Sequence, residues 1–224
     1  MKRILFLIFL YGAFSAVINA QSVAGLYHSK PEAAETFGAE YFPLKKNSSF
    51  VFESNVGQTK ANVKAEGNQM VFTYEAGPIT YKQNLMLEPN GIYLKKVYSK
   101  ALFFSNTVTY SKPVLRLPLP LKLGDNWRWD GCEIVDGDSS KITLLGSVKG
   151  VENIRTKAGA FRCLKIELKI ISAKGSTNTE TEWLAPNVGI VRLKANIQGD
   201  GITGVIRRLM GLNEIVFSLT EIKK

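Results

Sequence analysis

The sequence predicts an all-β protein: a long antiparallel meander forming a curved sheet, an open barrel or a sandwich, with two short helices. Three observations carry this prediction. From residue 50 onward apolar and polar residues alternate with a period of two, the repeat of a strand with one buried face. The alternating runs are cut at short intervals by Gly- and Asn-containing segments, which join antiparallel neighbours. Val, Ile, Thr, Tyr and Phe abound beside 19 Gly and 8 Pro, a balance that favours strands and tight turns over helices.

The first element is a targeting segment. Lys2 and Arg3 precede an apolar stretch from Ile4 to Ile18, and small Ala20 precedes Gln21. This is the layout of a secretory signal peptide over residues 1–20, cut between Ala20 and Gln21. The apolar run is about 15 residues, short of the roughly 20 needed to span hydrocarbon. No later stretch is long and apolar enough, so the mature chain is expected not to span the membrane as a helix. A periplasmic or secreted location follows. An N-terminal segment, 21–41, comes next. In it Ser29-Lys30-Pro31-Glu32 reads as a capping box opening a short helix that Gly38 ends.

Strands are expected over residues 49–54, 70–75, 79–87, 92–98 and 102–110, then 127–135, 141–148, 161–171, 177–184, 190–197 and 215–222. The clearest inward faces are Leu164, Ile166, Leu168 and Ile170, then Val191, Leu193 and Ala195, then Ile215, Phe217 and Leu219. Lys165, Glu167, Lys169, Arg192 and Lys194 alternate with them. A sheet with one apolar face must curl over its own core or cover something else. Before the last strand, Ile202, Val205, Ile206, Leu209 and Met210 recur at helical spacing and Gly211 follows. That second helix would plug the sheet edge, touch a membrane or close a ligand cavity.

The chain also repeats itself. Pro43-Leu44-Lys45, Phe50 and Phe52 recur as Pro120-Leu121-Lys122, Trp127 and Trp129, at a constant offset of 77. Leu87-Glu88-Pro89-Asn90-Gly91-Ile92 recurs as Leu184-Ala185-Pro186-Asn187-Val188-Gly189-Ile190 with one residue inserted. Two related β-modules are expected, 42–116 and 117–224, in one continuous sheet or two facing ones.

The second half carries a further pattern. Pro120-Leu121-Lys122-Leu123-Gly124-Asp125-Asn126-Trp127 is followed by Ala158-Gly159-Ala160-Phe161 and then by Glu182-Trp183-Leu184-Ala185-Pro186-Asn187-Val188-Gly189. Over about Leu117 to Leu193 this resembles a group of bacterial exported proteins known as a domain of unknown function. Glu182 directly before Trp183 departs slightly from that group's spacing. The resemblance implies a curved antiparallel sheet and the bacterial cell envelope. It supplies no catalytic residues.

Searched for chemistry, the sequence offers little. Its only histidine is His28, which leaves no His-based triad or zinc site, and neither cofactor nor metal is expected. Asp136-Gly137-Asp138 resembles the start of a calcium loop, but Ser147 stands where the closing Glu belongs, so a hairpin turn is the expectation. The net charge of +10 comes from 29 Lys and Arg against 19 Asp and Glu. These cations are dispersed along strands, which suits a solvated face that protects sheet edges and not nucleic-acid binding. Cys132 and Cys163 share the polar parity of their strands, and in an oxidising compartment a disulfide between them is expected. Glu180 and Glu182 lie on one strand face, about 7 Å apart, a separation compatible with glycoside hydrolysis. They are expected on the solvent face, opposite Lys and Arg. Trp127, Trp129, Trp183, Phe50 and Phe52, with Leu209 of the second helix, are the candidate lining of a concavity for a lipid or other amphipathic ligand. The leading functional expectation is non-enzymatic binding of such a ligand or of an envelope protein. A structural subunit of an envelope assembly and a carboxylate-dependent hydrolase are the alternatives.

Overall fold

The structure, a computed structural model, describes residues 35–43, 47–55, 57–173, 175–196 and 214–223. The signal segment with Ala20 and Gln21, the capping box and the expected helix bearing Leu209 lie outside the described residues.

In chain order the elements are β1 (Thr36–Phe37), a 3-10 turn (Ala39–Tyr41), β2 (Ser49–Ser54), β3 (Gly57–Glu66), β4 (Gln69–Ala76), β5 (Ile79–Glu88) and β6 (Gly91–Ala101). There follow β7 (Phe104–Pro118), β8 (Leu121–Lys122), β9 (Asn126–Val135), β10 (Asp138–Thr156), β11 (Gly159–Ser172), β12 (Thr177–Ala185), β13 (Gly189–Asn196) and β14 (Glu214–Lys223). Strands β2 to β7 and β9 to β14 pair antiparallel in sequence order, and β14 returns to β2, with Phe52 opposite Leu219. The meander is therefore a closed twelve-stranded barrel, neither open nor a sandwich. Most strands have an apolar face to bury, and pairing β14 with β2 also satisfies the two edges that an open sheet leaves unpaired. Both candidate modules contribute staves to this one barrel.

Several elements differ from expectation for local reasons. β3 was not foreseen because its inward residues, Thr59, Ala61 and Val63, are small or polar, although all three are buried. β10 runs 19 residues. A bulge between Val148 and Gly150 inverts the alternation there, so its sequence pattern breaks off halfway. The only helical element among the described residues is the 3-10 turn, and Thr36–Phe37 is strand where the first helix was expected. At Asp136 and Gly137 both φ angles are positive, 50° and 88°, the backbone of a type I′ hairpin. The calcium-like motif is that turn.

The expected disulfide is absent: both cysteines are free thiols. Cys132 lies opposite Lys141 of β10 and Cys163 opposite Glu152, eleven positions further along that strand. Strand rise makes this roughly 30–35 Å, far beyond the reach of a disulfide. Shared parity placed both on one face but said nothing of position along it. Burial pushes the Cys163 thiol up to about 11, with Arg192 pulling the other way.

The two barrel ends are unlike. At one, the segment before β2 packs against the β12–β13 connection, where Asn187 N–H donates to the Glu40 carbonyl at 2.6 Å. It brings Phe37, Tyr41 and Phe42 into the core. The other end carries the β4–β5, β9–β10 and β11–β12 turns, and the interior opens into a cavity toward it.

Candidate ligand-binding cavity

An eight-stranded barrel is just wide enough for its own side chains to fill, so twelve strands enclose more space than an ordinary core needs. In one half of this barrel large rings take it up. Phe50 stacks on Phe72 with centroids 6.3 Å apart, and Phe72 on Tyr74 at 5.0 Å. Trp127 lies over Gly146, and Trp129 over Gly131. In the other half a cavity of about 260 Å³ remains, larger than the roughly 150 Å³ of an apolar void that takes up benzene.

Its wall is mostly apolar. Leu168 and Ile170 of β11, Leu193 and Ala195 of β13, and Ile215 and Phe217 of β14 are the inward faces read from the sequence, and all line the cavity. Across from them stand Tyr74 of β4 and Tyr81 of β5. Their rings lie 6.3 Å apart, and Tyr74 stacks on Phe217 at 6.2 Å. Burial pushes both phenols above their ordinary range.

The polar part of the site corrects the sequence reading. Glu180 and Glu182 face inward, not to solvent. Glu182 sits between Ile166 of β11 and Leu193 of β13, and Glu180 between Leu168 and Ala195. Their neighbours are the apolar face itself. Lys165 and Arg192 lie opposite Trp183 instead.

Glu182 is fully buried and forms a two-pronged ion pair with buried Arg116 of β7: Nη1 donates to Oε2 at 3.2 Å and Nη2 donates to Oε1. Phe42 covers the other side of the guanidinium, 4.6 Å from ring centroid to Cζ, a cation–π contact. Burial alone pulls the Arg116 pKa down, but the charges of Glu182 and Glu180 outweigh it and hold the guanidinium charged. Arg116 was not singled out from sequence, although Val114 and Arg116 share a parity and both are buried. That parity was the available signal.

Glu180 lines the cavity. Burial first, and then the neighbouring Glu182 carboxylate, push its carboxyl up to about 8 against the pull of Arg116.

The aromatic candidates separate. Phe50, Phe52, Trp127 and Trp129 are buried in the core and none lines the cavity. Phe52 reaches it only through its ring contacts with Tyr74 and Phe217. Trp129 Nε1 donates to the Pro113 carbonyl at 3.0 Å, while Trp127 Nε1 is buried without a partner. Trp183 turns to the outer face, where its Nε1 donates to Glu152 at 2.7 Å and Lys165 Nζ lies 5.4 Å from its ring centroid. It is a surface cluster residue, not a cavity wall.

Among solved structures, the chain is similar to three bacterial proteins. One, described as a lipoprotein, is from Parabacteroides distasonis ATCC 8503, at 14% identity and a TM-score of 0.39 over 84% of this chain and 99% of that one. An exported protein with a YmcC-like fold from Bacteroides fragilis NCTC 9343 gives 16% identity and a TM-score of 0.41 over 86% and 100%. The hypothetical lipoprotein YmcC from Escherichia coli K12 gives 14% and 0.44 over 84% and 91%. No curated protein matches the sequence. The resemblance to an exported domain of unknown function has its counterpart in a family match on β10 to β13, the strands that carry both buried carboxyls. Residues 143–198 of this chain match the DUF3108-like family model.

Proposed function

We propose that this is an exported, non-catalytic binding protein whose barrel holds a small amphipathic ligand. The observation that supports this most is the 260 Å³ cavity, with a mostly apolar wall and a few polar groups, the usual composition of a ligand site. The signal-peptide layout of residues 1–20 supports export. A structural subunit would polymerise through a long free strand edge, whereas the described strands close into a barrel.

One observation favours the hydrolase reading: Glu180 faces a cleft with a raised pKa, as a general acid does. A glycosidase needs a second carboxylate free to act. Here the nearest, Glu182, is fully buried and bound by Arg116. The binding reading is the better supported.

It is tested by native purification followed by mass spectrometry of the organic extract, and by titration with 1-octanol. Wild-type protein should take up the alcohol, and Ala195→Phe, which fills the cavity from β13, should not while keeping its far-UV circular dichroism. No extractable ligand together with no alcohol uptake by wild type would refute the reading.

A further inference from the structure

The described part of the interior carries a charge imbalance that the binding reading alone does not use. Arg116 brings one positive charge; it too lines the cavity, and its guanidinium is engaged by the two-pronged pair with Glu182. Glu180, on the same face of β12, brings a second carboxyl and lines the cavity. A carboxylate in an apolar enclosure must take up a proton or meet a cation, because ionisation without either costs several kcal/mol or more. Three rings line the same cavity, with Tyr81 and Phe217 lying 6.3 and 6.2 Å from Tyr74. Both tyrosines are near enough to Glu180 for its charge to raise their pKa values. Aromatic faces beside a carboxylate form the usual receptor for an organic ammonium group, which gains from the ring quadrupoles as well as from the charge.

We infer, on the strength of the binding reading, that the cavity selects a cationic amphiphile: an ammonium group on an apolar body, its head between Glu180 and the Tyr74, Tyr81 and Phe217 rings. A carboxylate amphiphile is disfavoured, because the Arg116 charge that would receive it is already occupied by Glu182. The groups that set the head-group charge preference are Glu180 and Glu182 on β12, Arg116 on β7, Tyr74 on β4 and Tyr81 on β5.

The test compares three eight-carbon probes on the full-length mature protein by isothermal titration: octyltrimethylammonium, 1-octanol and octanoate. The ammonium should bind at least tenfold tighter than the alcohol, and octanoate weakest. Glu180→Gln should abolish the advantage of the ammonium over the alcohol. On wild type, ammonium affinity should rise as pH passes through about 8, while alcohol affinity stays level. The probe has no proton of its own, so this rise reports the protein, and it tests the inference even if the variant does not fold. Alcohol binding at equal or higher affinity than ammonium overturns the charge selection and leaves the binding reading standing. Failure of all three probes overturns both.

Discussion

Arg116, Glu182 and Glu180 show how position on a sheet changes the meaning of a residue. A carboxylate on an outer strand face is solvated and contributes little, whereas the fully buried Glu182 has Arg116 of β7 as its partner. Arg116→Met should therefore destabilise the barrel by about 3–5 kcal/mol, because a buried carboxylate loses its partner. Replacing both residues by Arg116→Met and Glu182→Leu should restore most of the loss. Urea unfolding of the three proteins checks this, and a double variant no better than the single would refute it. Glu180 sets a pH dependence. Its carboxyl is protonated in the folded barrel up to about pH 8 and ionises near its ordinary 4.5 in the unfolded chain. The folded state thus binds more protons between these values. Stability from this group is full below about 4.5, falls as pH rises toward 8, and is level above. At about 1.4 kcal/mol per pKa unit the loss is on the order of a few kcal/mol. The melting temperature of wild type should fall across that window relative to Glu180→Gln, and parallel curves for the two would contradict the assignment.

At the scale of the element, two strand glycines stand where aromatic rings need room. Trp127 of β9 lies across Gly146 of β10, the residue paired with it, and a Cβ at 146 would meet the indole at 2.0 Å. Gly131 makes the same room for Trp129 on its own strand, at 2.3 Å. Rings over strand glycines recover packing that a glycine lacks, and they help to fix register. Gly146→Ala should cost about 1–3 kcal/mol as an overpacking change, although alanine suits a strand better than glycine. Gly67, in the β3–β4 turn, has no atom within 4 Å of its Cβ position, so the cost there is backbone strain alone. Fluorescence-detected urea midpoints separate the cases: a Gly146→Ala protein with a displaced indole should also show shifted tryptophan emission, and Gly67→Ala should not. β3 and the second half of β10 were illegible in the sequence for related reasons. Small inward residues weaken the hydrophobic signal of β3, and the bulge at Lys149 inverts the parity of β10.

For the whole molecule, closure matters more than the repeat. The β2–β14 and β7–β9 seams join the halves on both sides, and Phe217 of the second half packs its ring against Phe52 and Tyr74 of the first. Neither half can bury its apolar face alone. Unfolding should therefore be one transition. All three tryptophans lie in the second half, so emission reports that half while far-UV circular dichroism reports both. Coincident curves are expected; separated midpoints would show that the modules fold independently.

The all-β class, the meander order, most strand positions and the inward faces of β11, β13 and β14 were determined by the sequence, because alternation and turn chemistry are local. Leu168, Leu193 and Phe217 were readable in the same way as inward residues, though not as the wall of a cavity. The closure of the barrel, the separation of the two cysteines, the outer placement of Trp183 and the pairing of Arg116 with Glu182 were decided only by tertiary structure. Parity assigns a residue to one of two faces, but which face is inside, and what stands opposite across the barrel, depends on strands distant in sequence, 66 residues apart for Arg116 and Glu182. A carboxylate at an inward position reads locally as an exposed one until the arginine that compensates it is in place.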